Sequence, residues 1–290
     1  MSVRTSYEPG TPCWADLATA DVEAATRFYG AVFGWDFREG PPESGPYVTC
    51  VLDGEPVAGI MPAAAPERDA TEQPTADQST AEQSKPEEAT DEETPAGSVP
   101  AAWTTYLATE DVDATTKRVV DAGGTVTLPP VDAMEEGRMA VVTDPTGAVF
   151  GLWQPRRHIG ARRVDEPGSL TWTELATGDP AAAWEFYRAV FGFERDTIGD
   201  GTVTYSMLTI GEAVVAGVMP RHDAIPAVRA DPAWWLLYFA VADADATIRS
   251  VTDHGGSVLH EPVDTPYGRM SVLADPDGAG FAVIASDLRA

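Results

Sequence analysis

Lysine is almost missing from this 290-residue chain: Lys85 and Lys117 are the only two among nineteen basic residues. Against forty-six Asp and Glu they leave a net charge of −27. A field of that sign repels phosphate backbones and anionic lipid, which argues against nucleic acid and membrane surfaces as partners. Long apolar runs are missing too, and none approaches the ~20 residues that span a bilayer. The opening residues lack the apolar core of a secretory signal. Cysteine is scarce. Cys13 and Cys50 make no disulfide framework, so a reducing cytoplasm is the expected compartment. Four histidines are few for a metal protein. Residues 63–100 contain no aromatic residue and almost nothing apolar larger than alanine. Such a stretch cannot offset its ordering entropy by burial and reads as a disordered acidic insertion.

What is present is repetition. Residues 9–37 and 167–195 read almost alike: Trp14 falls on Trp172, Leu17-Ala-Thr on Leu175-Ala-Thr, and Phe28-Tyr29 on Phe186-Tyr187. The match continues at Tyr47 and Tyr205, then at Val57-Ala-Gly-Ile-Met-Pro and Val215-Ala-Gly-Val-Met-Pro. Past the insertion, Trp103 to Tyr106 meets Trp235 to Tyr238, Gly137-Arg138-Met139 meets Gly268-Arg269-Met270, and Asp144-Pro-Thr-Gly meets Asp275-Pro-Asp-Gly. A register held this long is a duplication. It gives a first module of 9–62 plus 101–155, a linker at 156–166 and a second module of 167–285.

A fainter repeat divides each module in two, since Leu17-Ala-Thr-Ala-Asp-Val resembles Leu107-Ala-Thr-Glu-Asp-Val. Each unit opens on an alternating apolar and polar strand. Asp21, Asp111, Asp179 and Asp243 then stand as helix N-caps. An amphipathic helix follows in each unit and ends at glycine. Short strands with turn residues complete a strand–helix–strand–strand–strand unit, used four times. The fold class is α+β.

These motifs resemble the vicinal oxygen chelate superfamily of glyoxalase I, extradiol dioxygenases and bleomycin- and fosfomycin-resistance proteins. The resemblance is carried by Asp21 through Phe28-Tyr29 to Gly34, by its copy Asp179 through Phe186-Tyr187 to Gly192, and by the two Asp-Pro turns. It implies that paired units curl into a half-barrel around a cavity. It also implies metal donors at fixed places on the first and last strands of the units. Those places hold Trp14, Thr104, Trp172, Leu236, Gly151 and Ala282, none of which offers the imidazole or carboxylate a metal site needs. The histidines offer no replacement: His158 falls in the linker, His222 in a loop, His254 at a helix stop and His260 on a strand. All four read as surface residues. No metal and no other cofactor is expected.

Strand alternation places side chains two apart on one face. If the donor positions point inward, Trp14, Asp16, Thr104 and Tyr106 line the first cavity. Trp172, Glu174, Leu236 and Tyr238 line the second. Each cavity then holds an indole, a carboxylate and a phenol. Asp16 and Glu174 are the candidate proton carriers, with Tyr106 and Tyr238 beside them as catalytic aids; the tryptophans are stacking walls. A buried carboxylate is costly unless paired or used. The bland alternative is a salt bridge to Arg138 and Arg269, which could equally contact a ligand. Tyr47 and Tyr205 could line the same pockets, although plain strand packing is their default. Cys13 adjoins Trp14 and so should face away from it.

Together these features point to an enzyme of secondary metabolism without the usual metal. It would act on a small aromatic or polyketide-like metabolite by isomerisation, cyclisation, elimination or epoxide chemistry. A protein that sequesters an antibiotic, cationic ones suiting its charge, is the alternative. A metal-dependent lyase or dioxygenase with relocated ligands is the third reading. Either a monomer or a homodimer fits. One principal site is expected, in the second module, because Glu174 reaches further than Asp16.

Overall fold

The computed structural model describes residues 3–41, 45–63, 100–198, 205–221 and 232–286. Residues 64–99 of the expected insertion, and His222, lie outside them.

Each helix begins where a carboxylate can accept an orphan backbone N–H. Asp21 caps α1 (Val22–Phe33) by accepting from the Ala24 amide at 2.8 Å. Asp111, Asp179 and Asp243 do the same, at 2.9 Å, for α2 (Val112–Asp121), α3 (Pro180–Phe191) and α4 (Ala244–Asp253). Helices α1 and α3 stop at Gly34 and Gly192, whose φ values of 72° and 73° lie in the left-handed region.

The first sheet contains β1 (Pro12–Thr19), β2 (Asp36–Glu39), β3 (Val48–Leu52), β4 (Glu55–Pro62), β5 (Ala102–Ala108), β6 (Thr125–Ala133), β7 (Gly137–Thr143) and β8 (Val149–Pro155). Its spatial order is β2-β3-β4-β1-β5-β8-β7-β6. The second contains β9 (Leu170–Thr177), β10 (Glu194–Ile198), β11 (Tyr205–Ile210), β12 (Ala213–Pro220), β13 (Ala233–Ala240), β14 (Ser257–Thr265), β15 (Gly268–Ala274) and β16 (Gly280–Ala285), in the matching order. The antiparallel pairs β1–β5 and β9–β13 join the two units within each module. Each module therefore completes its own sheet.

The helices pack on these sheets and also bridge the modules. One core joins Phe28, Tyr29 and Phe33 of α1 to Val251 of α4, Phe239 of β13 and Phe281 of β16. A second joins Val119 of α2 and Phe150 of β8 to Phe186 and Tyr187 of α3. The same cores hold Leu17 and Ile60 beside α1 and Leu175 and Leu208 beside α3, so each apolar helix stripe is buried between its own sheet and elements of the other module. Close approach shows at two glycines. A Cβ on Gly124 would meet Phe186, and one on Gly256 would meet Phe28. Smaller clusters, around Trp14 and Tyr106 and around Leu236 and Tyr238, occupy the sheet faces turned away from the helices.

Candidate functional site

The alternation of β9 and β13 sets the second-module residues side by side. Trp172 pairs with Tyr238, and Glu174 with Leu236. On the other flank Glu174 pairs with Gly217 of β12. Trp172, Glu174, Tyr205 and Tyr238 line one cavity of about 630 Å³, walled further by Met207, Met270 and Ile284. A groove of about 520 Å³ adjoins it and shares Asp165, Thr171, Trp172 and Val214. Leu236 is packed in the floor rather than lining the opening.

Glu174 is 6% exposed. The Tyr238 hydroxyl donates to its Oε1 at 3.3 Å. The Trp172 indole donates to the Tyr205 hydroxyl at 3.1 Å, and Tyr205 stands beside the carboxylate. Burial raises the Glu174 pKa above the usual carboxylate value, while hydrogen bonds from Tyr205 and Tyr238 oppose the rise. Desolvation and the adjacent carboxylate push both tyrosines up. The Tyr205 hydroxyl rests over Gly217, where any Cβ would overlap it.

The first module repeats this set in a closed form. Trp14 pairs with Tyr106, and Asp16 with Thr104. Asp16, 6% exposed, accepts from Trp14 at 2.8 Å and from Tyr47 at 2.7 Å. Burial again raises its pKa, against those hydrogen bonds. Trp14 is 3% exposed and Tyr106 only 1%. The Tyr106 hydroxyl makes no ordinary hydrogen bond, although the Asp16 charge acts on it. Tyr7, Trp153 and Ala161 pack over the cluster. His158 seats its ring 4.4 Å from that of Trp14, nearly perpendicular to it.

The geometry departs from four expectations. Arg138 and Arg269 do not reach the cavities: Arg138 pairs with Asp113 and Asp132, and Arg269 with Asp245 and Asp264. Met139 and Met270, one residue on, belong to the cavity-side clusters, so the arginines between the glycine and the methionine turn toward helices α2 and α4. Tyr47 and Tyr205 are more than strand packing, since both hydroxyls take a tryptophan N–H at 3.1 Å. His158 is a packed residue, not a surface one. Cys13 joins the Trp14 cluster because the register shifts between Pro12 and Trp14.

The residues at the metal-donor positions do not fit a metal. Gly151 pairs with Tyr106, whose ring fills the space a side chain there would need. Ala282 is buried opposite Tyr238. Among the described residues no three His, Cys, Asp or Glu side chains converge. Among the same residues no helix is long and apolar enough to cross a membrane.

The sheet order and the duplicated units define a glyoxalase-type protein. The Glyoxalase/Bleomycin resistance protein/Dioxygenase superfamily matches residues 13–152 and 169–283, and the chain belongs to it. It is 41% identical to the glyoxylase-named protein CFP32 of Mycobacterium tuberculosis over 98% of both chains. It is 39% identical to the anthracycline biosynthesis protein DnrV of Streptomyces peucetius, over 97% of this chain and 94% of that one. The fold is similar to that of a Mn(II)-bound glyoxalase from Novosphingobium aromaticivorans, with a TM-score of 0.60 at 16% identity, covering 96% of this chain and 82% of the other.

Proposed function

We propose that the second module binds a flat, partly apolar metabolite of the aromatic polyketide type and moves a proton on it with Glu174, without a metal. The observation that carries this reading is a buried carboxyl of raised pKa, held by phenols, in the wall of an open and mostly apolar cavity. Aromatic and aliphatic walls bury ligand area while a few polar groups orient it. A carboxyl shifted toward neutrality is suited to give and take a proton. Tyr238 positions Glu174, and Trp172 backs the ligand ring. Isomerisation, cyclisation, elimination and epoxide opening all need such a proton and no electron acceptor. Relatives named for anthracycline biosynthesis support a secondary-metabolic, aromatic ligand.

The test is turnover of aromatic polyketide intermediates by the purified protein. Glu174→Gln is expected to lower kcat by roughly 10²–10⁴, the range of a lost general acid–base, and chelator to change nothing. Full activity in Glu174→Gln sinks the reading. Tight binding with no product in either protein favours sequestration instead.

A further inference from the structure

Duplication makes each module a reference for the other. In the first, the turn between β6 and β7 holds the linker. The Glu136 carbonyl accepts from the Arg156 and His158 amides at 3.0 Å, and Glu135 accepts from Arg157 at 3.4 Å. The chain is thereby folded back over the sheet. The Trp153 indole fixes its position by donating to the His158 carbonyl at 2.8 Å. The imidazole is left 4.4 Å from Trp14 and 5.5 Å from Trp153, edge-on to both. Burial lowers the His158 pKa to about 4, so at neutral pH the ring is an uncharged heteroaromatic. The chain fills its own first cavity with a planar, polar-edged ring.

The second module repeats the indole, the carboxylate and the phenols around an open cavity, while the counterpart of the linker ring, at 289, lies outside the described residues. Ile284 stands where Trp153 stood, each opposite a methionine, Met270 or Met139. Tyr267 takes the place of Glu136 on the hairpin turn. It lines the cavity mouth and is 64% exposed.

We infer that the second cavity takes from solution what the first takes from its linker: a planar ring with a polar edge, set edge-on to Trp172, with Tyr267 closing over it. Tyr267 is then a specificity-determining residue, and the chain binds one ligand rather than two. This rests on the reading of the second cavity as the ligand site. Aromatic contacts of this kind contribute about 0.5–1.5 kcal/mol beyond buried area, which corresponds to roughly two- to twelvefold in affinity.

Emodin, a flat hydroxylated anthraquinone, is a direct probe, titrated by calorimetry and by quenching of tryptophan fluorescence. The full-length protein should bind one emodin per chain. Tyr267→Ala, an exposed change that spares the fold, should weaken binding about two- to twelvefold, and Tyr267→Phe should restore it. Trp172→Phe should remove most of the quench and Trp14→Phe little of it. Two emodin molecules per chain, unchanged affinity in Tyr267→Ala, or quenching carried by Trp14 would each overturn the inference while leaving a flat-ligand site standing. No binding by the unaltered protein would remove the functional reading itself, and this inference with it.

Discussion

Tyr29 in the first helix donates its hydroxyl to Asp275 in the last turn of the other module, at 3.0 Å. The same oxygen accepts from the Trp103 indole at 3.0 Å. The mirror arrangement puts Tyr187 under Trp235 at 2.9 Å and beside Asp144. The Phe-Tyr pairs and Asp-Pro turns that mark the repeat are therefore the joints between its copies. Tyr29→Phe strands a buried indole N–H and takes a donor from a buried carboxylate. An unsatisfied buried group costs about 1–3 kcal/mol. The urea midpoint should fall accordingly with the slope unchanged, and Tyr187→Phe should cost a similar amount. A loss below about 0.5 kcal/mol in both, the scatter of neutral surface changes, would show the joints to be idle.

Two glycines separate the roles of the modules. At Gly217 a methyl group would strike the Tyr205 hydroxyl, the tip of a half-buried side chain at an open cavity. At Gly59 it would strike Tyr47 and Asp16 in a closed cluster. Overpacking a closed core costs about 1–3 kcal/mol. Gly59→Ala should therefore lower the melting temperature and leave ligand affinity nearly intact. Gly217→Ala should do the reverse, and calorimetry with differential scanning reads both. Equal melting losses would contradict the division.

Glu174 gives a pH signature. Its folded-state pKa lies above the ordinary value, so between the two the folded protein binds more protons than the unfolded one. Stability from this group is greatest below the ordinary carboxylate pKa, near ~4.3, and declines as pH rises through the window up to the raised value. Glu174→Gln cannot ionise and still accepts the Tyr238 hydrogen bond. It should melt higher than the parent at neutral pH, with the gap closing on acidification. A variant that melts lower at neutral pH would mean the carboxylate is stabilised there, not penalised.

Removal of residues 66–98 tests the insertion. Pro62 ends β4 against Thr19, and Ala102 begins β5 against Ala18. The two ends flank one strand, so they lie roughly 10 Å apart at the usual strand spacing. Six remaining residues span up to about 20 Å. The shortened chain should keep its melting temperature and its ligand affinity within error. Aggregation or a broad, uncooperative melt would assign the insertion a structural role.

The repeat, the capping aspartates and the α+β units could be read in the sequence because each rests on local chemistry recurring four times. Strand parity also put Trp172, Glu174 and Tyr238 on one face. It would have excluded Arg138 and Arg269 had it been counted from Met139 and Met270. The partners of Asp16 and Glu174 are phenols and an indole, since the strand-neighbour glycines Gly59 and Gly217 leave room for Tyr47, just before β3, and Tyr205 of β11. His158 could not be placed from sequence. Its position depends on how the linker's backbone amides meet a distant turn, and no side-chain pattern encodes that. Tyr267 left one legible trace, as the copy of Glu136 that changed from charged to aromatic.

Helices that pair across the modules, and sheets that close within them, divide the demands made on the sequence. The shared helix layer ties both halves together, because each core draws residues from both modules. The two sheet faces turned away from the helices differ. One is packed with its own tether, a keel beneath the first sheet, while the other stays open to the outside of the hull.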